Sequence, residues 1–201
     1  MLQMDGTSLE FPDNSFDLVV SANVIEHVPA PEKYIRECLR VLKPTGMAYF
    51  EASPIWTGPR GHHIHEDMIS SNCPLETRYR NDGSIILDWA HLKLNKLCFR
   101  KMLAGKIDPA TIDYICHYLY DTADLNRVGW NQLLGTFQSV FAECQTCTWL
   151  SEGSNLKESP HCPVEDYNVS GFHITGRKRV AGLLERHVLR KLFWRLRRAG
   201  L

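Results

Sequence analysis

FPDNSFDLVVSANVIEHVPAPEKYIRECLRVLKPTG, residues 11–46, is the stretch on which the fold turns. The turn-rich PDNS is followed by a short apolar run, FDLVV (16–20), of the kind expected for a parallel strand covered on both faces. A loop then leads into PAPEKYIRECLRVLKPTG. There Tyr34, Ile35, Cys38, Leu39 and Leu42 recur at helical spacing. Pro31 suits the first turn, Glu32 and Arg36 form an i,i+4 pair in the favourable order, and Pro44 with Gly46 is read as the stop. MAYFEAS (47–53) is a second buried strand, so strand, helix and strand make one right-handed βαβ unit.

Downstream, residues 55–66, IWTGPRGHHIHE, form a loop rich in Gly, Pro and His. Residues 67–135 are mostly helical in pattern. HLKLNKLCFRKMLAG reads as one amphipathic helix with a Gly stop, and PATIDYICHYLYD and ADLNRVGWNQLLGTF as two more. Two strands close the body, AECQTCTWL (142–150) and NVSGFHITGRK (168–178), with a polar loop between them. Trp56, Trp89, Trp130 and Trp149 would either line an apolar cleft or pack in the core.

The chain has 201 residues, 44% of them apolar and 23% charged, the balance of an ordinary globular domain. No apolar run reaches membrane-spanning length, and the first residues lack signal-peptide character. The seven cysteines (38, 73, 98, 116, 144, 147 and 162) are odd in number and scattered, which argues for a reducing compartment such as the cytoplasm. Cys144 and Cys147 are a lone C-x-x-C. In a strand, positions i and i+3 point to opposite faces, so structural cysteines are preferred to a redox or zinc pair. Net charge is zero but uneven. Residues 177–201 hold nine Lys or Arg against the single acid Glu185, a net +8, which leaves 14 basic against 22 acidic residues elsewhere. In that tail Val180, Leu184, Val188, Leu192 and Leu196 recur at spacing four, flanked by arginines. Residues 179–201 therefore read as a basic amphipathic helix. It would dock on the acidic body, lie peripherally on an anionic membrane, or meet a phosphate-rich partner. Aromatic interleaving of the kind that marks a nucleic-acid platform is lacking, so nucleic acid is not expected as a partner.

The order D-G-x-x-L-x-F, S-F-D-L-V, E-H-V and R-V-L-K-P-x-G across residues 5–46 resembles the second half of the cofactor domain of class I S-adenosylmethionine-dependent methyltransferases, closest to their type 11 group. The resemblance is strong over residues 4–54 and weak beyond. It implies an α/β fold, a partial Rossmann-like sheet from the family order 3-2-1-4-5-7-6. Strand 3 is expected at residues 1–5, strand 4 at 16–20, and strands 5, 6 and 7 follow. Strands 1 and 2 and the glycine-rich loop are missing, since the chain has no G-x-G, so strand 3 would lack a partner and strand 4 would be a bare edge. The implied divisions are 1–54 for part of the cofactor-binding half, 55–135 for a helical substrate insertion, 136–178 for the closing strands and 179–201 for the basic helix.

The same resemblance implies the roles. Asp5 and Gly6 would contact the adenine of S-adenosylmethionine, while Ser21 and Asn23 would lie under its methionine part. Glu26 and His27 would stand near the methyl acceptor. The position agrees with the general rule that ligands bind beyond the carboxyl ends of strands. His27 is either a general base or a residue that packs the loop. His62, His63 and His65 are expected on a substrate-facing loop. No metal is assigned to them, because near neighbours on one loop rarely close a coordination sphere. The expected activity is methyl transfer to a small-molecule acceptor such as a glycan or a lipid-linked acceptor. A missing N-terminal half is the further partner expected if the chain is one half of a two-chain enzyme. The rival readings are a non-catalytic methyltransferase remnant serving as a binding module and, more weakly, a metal-dependent hydrolase built on GHHIH.

Overall fold

The computed structural model describes residues 2–64, 85–151 and 166–178. An open four-stranded sheet carries the fold, in the order β1-β2-β4-β3. Its strands are β1 (Phe16–Ala22), β2 (Leu42–Ala52), β3 (Glu143–Leu150) and β4 (Val169–Arg177). β1 runs parallel to β2, and β4 is antiparallel to both β2 and β3. The neighbours agree with the order expected for the last four strands. Residues 2–5 form no strand, so the expected strand 3 is corrected. A lone segment with no neighbour to satisfy its amides and carbonyls has no reason to stay extended.

The helix over Pro31–Val41, α1, joins the two parallel strands as the sequence predicts, and the exposed Glu32–Arg36 pair is present at 2.8 Å. Its end differs from the expected Pro-Gly stop. Leu42 already has extended dihedrals (φ −76°, ψ 135°), and Lys43–Gly46 open β2 with a register irregularity opposite Phe16–Leu18. Proline disfavours helical geometry in the residue before it, so the chain leaves the helix ahead of Pro44. Arg40 fastens the preceding segment to α1. Its guanidinium donates to Glu37 and Asp13 and to the carbonyls of Leu9 and Phe11.

One face of the sheet is dry. Ala48, Phe50, Phe172 and Ile174 pack there against Ile35 and Cys38 of α1 and against Leu133 and Phe137 of α5 (Trp130–Val140). The opposite face carries Leu18 and Val20, which are 50% and 60% exposed. The expectation that β1 is covered on both faces therefore gives way to the bare-edge expectation, since β1 ends the sheet among the described residues.

A second core gathers the helices between β2 and β3: Trp56, Trp89, Leu92, Phe99, Leu103, Ile112, Ile115, Leu119 and Tyr167. Its helices are α2 (Ala90–Lys93), α3 (Lys96–Leu103) and α4 (Pro109–Tyr120). The single helix expected over 91–105 is thus two, because Asn95 interrupts it and caps α3 by accepting from the Cys98 amide. Asp108 caps α4 in the same way, with Pro109 in the first turn. The helix expected from residue 123 begins only at Trp130, and residues 123–129 are loop. Trp56, Trp89 and Trp130 are core residues and Trp149 is partly exposed. The 179–201 segment, with its docking and membrane readings, lies outside the described residues. Among the described residues no helix is long and apolar enough to cross a membrane.

Candidate active site

The carboxyl ends of β1 and β2 lie side by side, and the segments that follow them build the site. After β1 the chain bends at Asn23 (φ 52°), a conformation that asparagine tolerates better than most residues. The Asn23 amide donates to the Glu51 carbonyl at 2.9 Å and its Oδ1 accepts from the Ser53 amide at 3.2 Å. Asn23 thus ties the two strand ends together. A single 3-10 turn, Ile25–His27, follows and carries Glu26 and His27.

Glu26 is only 4% exposed, and neither carboxylate oxygen has a hydrogen-bond partner. Burial pushes its pKa up, with its own backbone amide and His27 pulling the other way. Ser21 is also buried, and its Oγ makes no hydrogen bond of good geometry, though the Tyr34 phenol lies close enough to feel it. Burial raises that phenol to about 12. Two orphaned polar side chains therefore stand at the end of β1.

His27 is exposed, and its Nδ1 lies 3.0 Å from the carbonyl oxygen of Asp124. A carbonyl can only accept, so Nδ1 carries a proton and, in the neutral ring, Nε2 keeps its lone pair. The His27 ring meets the edge of His63 at 4.9 Å. His63 is buried and donates from Nε2 to the Pro54 carbonyl at 2.6 Å. Successive tight turns at Ile55–Gly58, Gly58–Gly61 and Arg60–His63 fold the loop back to bring it there. A Cβ on Gly61 would sit 2.4 Å from the carbonyl oxygens of Ile55 and Trp56, so only glycine fits this bend.

The histidine cluster divides. His63 faces His27, whereas His62 accepts from the Ile64 amide through Nδ1 and packs against His91, ring centroids 5.5 Å apart. His65 lies outside the described residues. Among the described residues no group of three or more His, Cys, Asp or Glu is arranged to hold a metal ion.

Asp5 and Gly6 sit apart from the turn. Asp5 Oδ1 accepts from the amide and hydroxyl of Thr7, which lowers its pKa. Gly6 lies against the Tyr34 ring, where a Cβ would come within 2.8 Å. Tyr34 in turn reaches Ser21, so one aromatic residue links the Asp5–Gly6 turn to the end of β1. The sequence reading missed Tyr34, Asp124 and Asn126. For the last two no local signal exists, because their partners are roughly one hundred positions away.

The segment that carries this turn is similar to known proteins. Residues 1–50 match the family model described as a methyltransferase domain. The chain is 45% identical over 62 residues to an uncharacterized methyltransferase of Mycobacterium sp. strain KMS, and 44% identical over 62 residues to one of Mycobacteroides abscessus. Each match covers 31% of this chain and 24% of the relative, so the chain spans about a quarter of the length of the curated relatives it matches. Among solved structures it is similar to a SAM-dependent methyltransferase of Thermotoga maritima, with a TM-score of 0.45 and 15% identity, covering 89% of this chain and 63% of the other.

Proposed function

We propose that the protein to which this chain belongs transfers a methyl group from S-adenosylmethionine to a hydroxyl or amine of a small-molecule acceptor, glycan or lipid-linked in class. The observation that carries this reading is His27. It stands on the methyltransferase segment, beyond the end of β1, with Nδ1 committed to Asp124 and Nε2 left as an acceptor.

The donor set suits the cofactor. Asp5 has a free oxygen beside the one engaged by Thr7 and would accept from an amine, while Ser21 and Glu26 offer buried oxygens without partners. Asn23 would contribute through position, since its side chain already joins the strand ends. When bound, S-adenosylmethionine supplies an electrophilic methyl on sulfur. The chain's own contribution is to align the acceptor and to take its proton at His27 Nε2, a role worth roughly 10²–10⁴-fold in rate. The loop bearing His63 closes one side of His27 and would present the acceptor.

The test is a calorimetric titration of the full chain with S-adenosylmethionine, followed by incubation with methyl-labelled cofactor and a panel of sugar, lipid-linked and amine acceptors. Saturable binding and label transfer are expected. If neither this chain nor a longer protein containing it binds the cofactor, the reading fails and the non-catalytic binding module takes its place.

A further inference from the structure

The turn that carries Glu26 and His27 is three residues long and has no side-chain cap. So short a 3-10 turn makes too few internal hydrogen bonds to hold an imidazole in one orientation. What holds it comes from the far side of the helical insertion. Asn126 is buried, and its Nδ2 donates to the carbonyl oxygens of Ile25 at 2.5 Å and Val28 at 3.0 Å. Its backbone amide donates to the Glu26 carbonyl at 2.9 Å, and its Oδ1 accepts from the Val128 amide at 3.3 Å. One residue therefore takes up the carbonyls of positions 25, 26 and 28. Two residues earlier on the same loop, Asp124 offers its carbonyl to His27 Nδ1.

We infer that Asn126 is a positioning residue for His27: by clamping the 25–28 turn to the 123–129 loop, it holds Nδ1 against the Asp124 carbonyl and keeps Nε2 as the acceptor. The catalytic consequence rests on the base role proposed for His27, but the tautomer does not. The side-chain type matters, because satisfying two carbonyls and one amide needs two donors and an acceptor on one short planar group. Aspartate has the same shape and no donor when ionised. A second consequence concerns the insertion. The loop runs between α4 and α5, so any displacement of it withdraws the carbonyl that selects the tautomer.

The test is imidazole ¹H–¹⁵N correlation spectroscopy on the full 23.1 kDa chain, above the titration range of histidine, which reads the tautomer directly. Wild-type His27 is expected as the Nδ1–H form. Asn126→Asp is expected to give averaged shifts of both tautomers, with cofactor affinity unchanged and the turnover number, not KM, reduced. Should that variant not fold, Asn126→Ser, which keeps one donor, is measured in its place, with the same expectation. A wild-type Nε2–H form, or an Nδ1–H form that persists in the variant, overturns the inference. Loss of S-adenosylmethionine binding in the wild type, with the tautomer still responsive to Asn126, would sink the proposed function and leave the clamp standing.

Discussion

Replacing Glu26 by glutamine is expected to stabilise the protein, with a gain that depends on pH. The wild-type carboxyl is 4% exposed, and neither oxygen has a hydrogen-bond partner. A buried charge left unsatisfied costs about 1–3 kcal/mol or more. A neutral amide of the same shape is also without partners but carries no charge, so it removes the part of the cost that is due to ionisation. For a chain of this size, 1 kcal/mol moves the melting temperature by about 2–4 °C, so a rise of roughly 2–12 °C is the upper range expected at neutral pH. The sign of the pH dependence follows from burial, which raises the folded-state pKa above the ordinary 4.5. Between 4.5 and the raised value the native state holds the proton more tightly than the unfolded chain. Wild-type stability therefore falls as pH climbs through that window and levels off above it. The glutamine variant lacks this loss, so the two melting curves should converge at acid pH and separate above it. Circular dichroism melts of both proteins from acid to neutral pH check this. A variant less stable than wild type at neutral pH, or an offset that does not change with pH, would refute the argument. A stabilised variant that has lost methyl transfer would mark Glu26 as a residue kept for function at a cost in stability.

Three further outcomes are expected. His27→Ala should cut methyl transfer about 10²-fold or more and leave cofactor binding intact, as judged with labelled cofactor. Gly6→Ala should destabilise by about 1–3 kcal/mol, because the new methyl meets the packed Tyr34 ring at 2.8 Å, a loss that denaturant unfolding will register. In thiol labelling followed by mass mapping, the exposed Cys98 and Cys147 should react first among the cysteines of the described residues, whereas Cys38, buried and pushed up to about 12, should react only on unfolding.

The strand–helix–strand unit is legible in residues 16–52 because its signals are local. An apolar run, a 3.6-residue stripe and a proline each act within a few positions, and the family motifs fall on the same stretch. The closing strands at 143–150 and 169–177 are legible for the same reason. The placement of Ser21 at the carboxyl end of β1, and of Glu26 and His27 beyond it, follows once the strand is known. Where local capping chemistry competes with the apolar stripe, as at Asn95, the stripe alone misleads, and one expected helix becomes two. The rest is decided by contacts the chain makes across long separations. Nothing in GHHIH says that His63 meets His27 while His62 meets His91; the glycine turns and the dry insertion core sort them. Nothing near His27 foretells that Asp124 chooses its tautomer or that Asn126 holds its turn, since periodicity is silent about a loop folding back from one hundred residues away. Residue types and local order thus determine which chemistry is on offer. Tertiary packing alone decides which nitrogen is left to perform it, because a lone pair is assigned by the partner of the opposite ring atom.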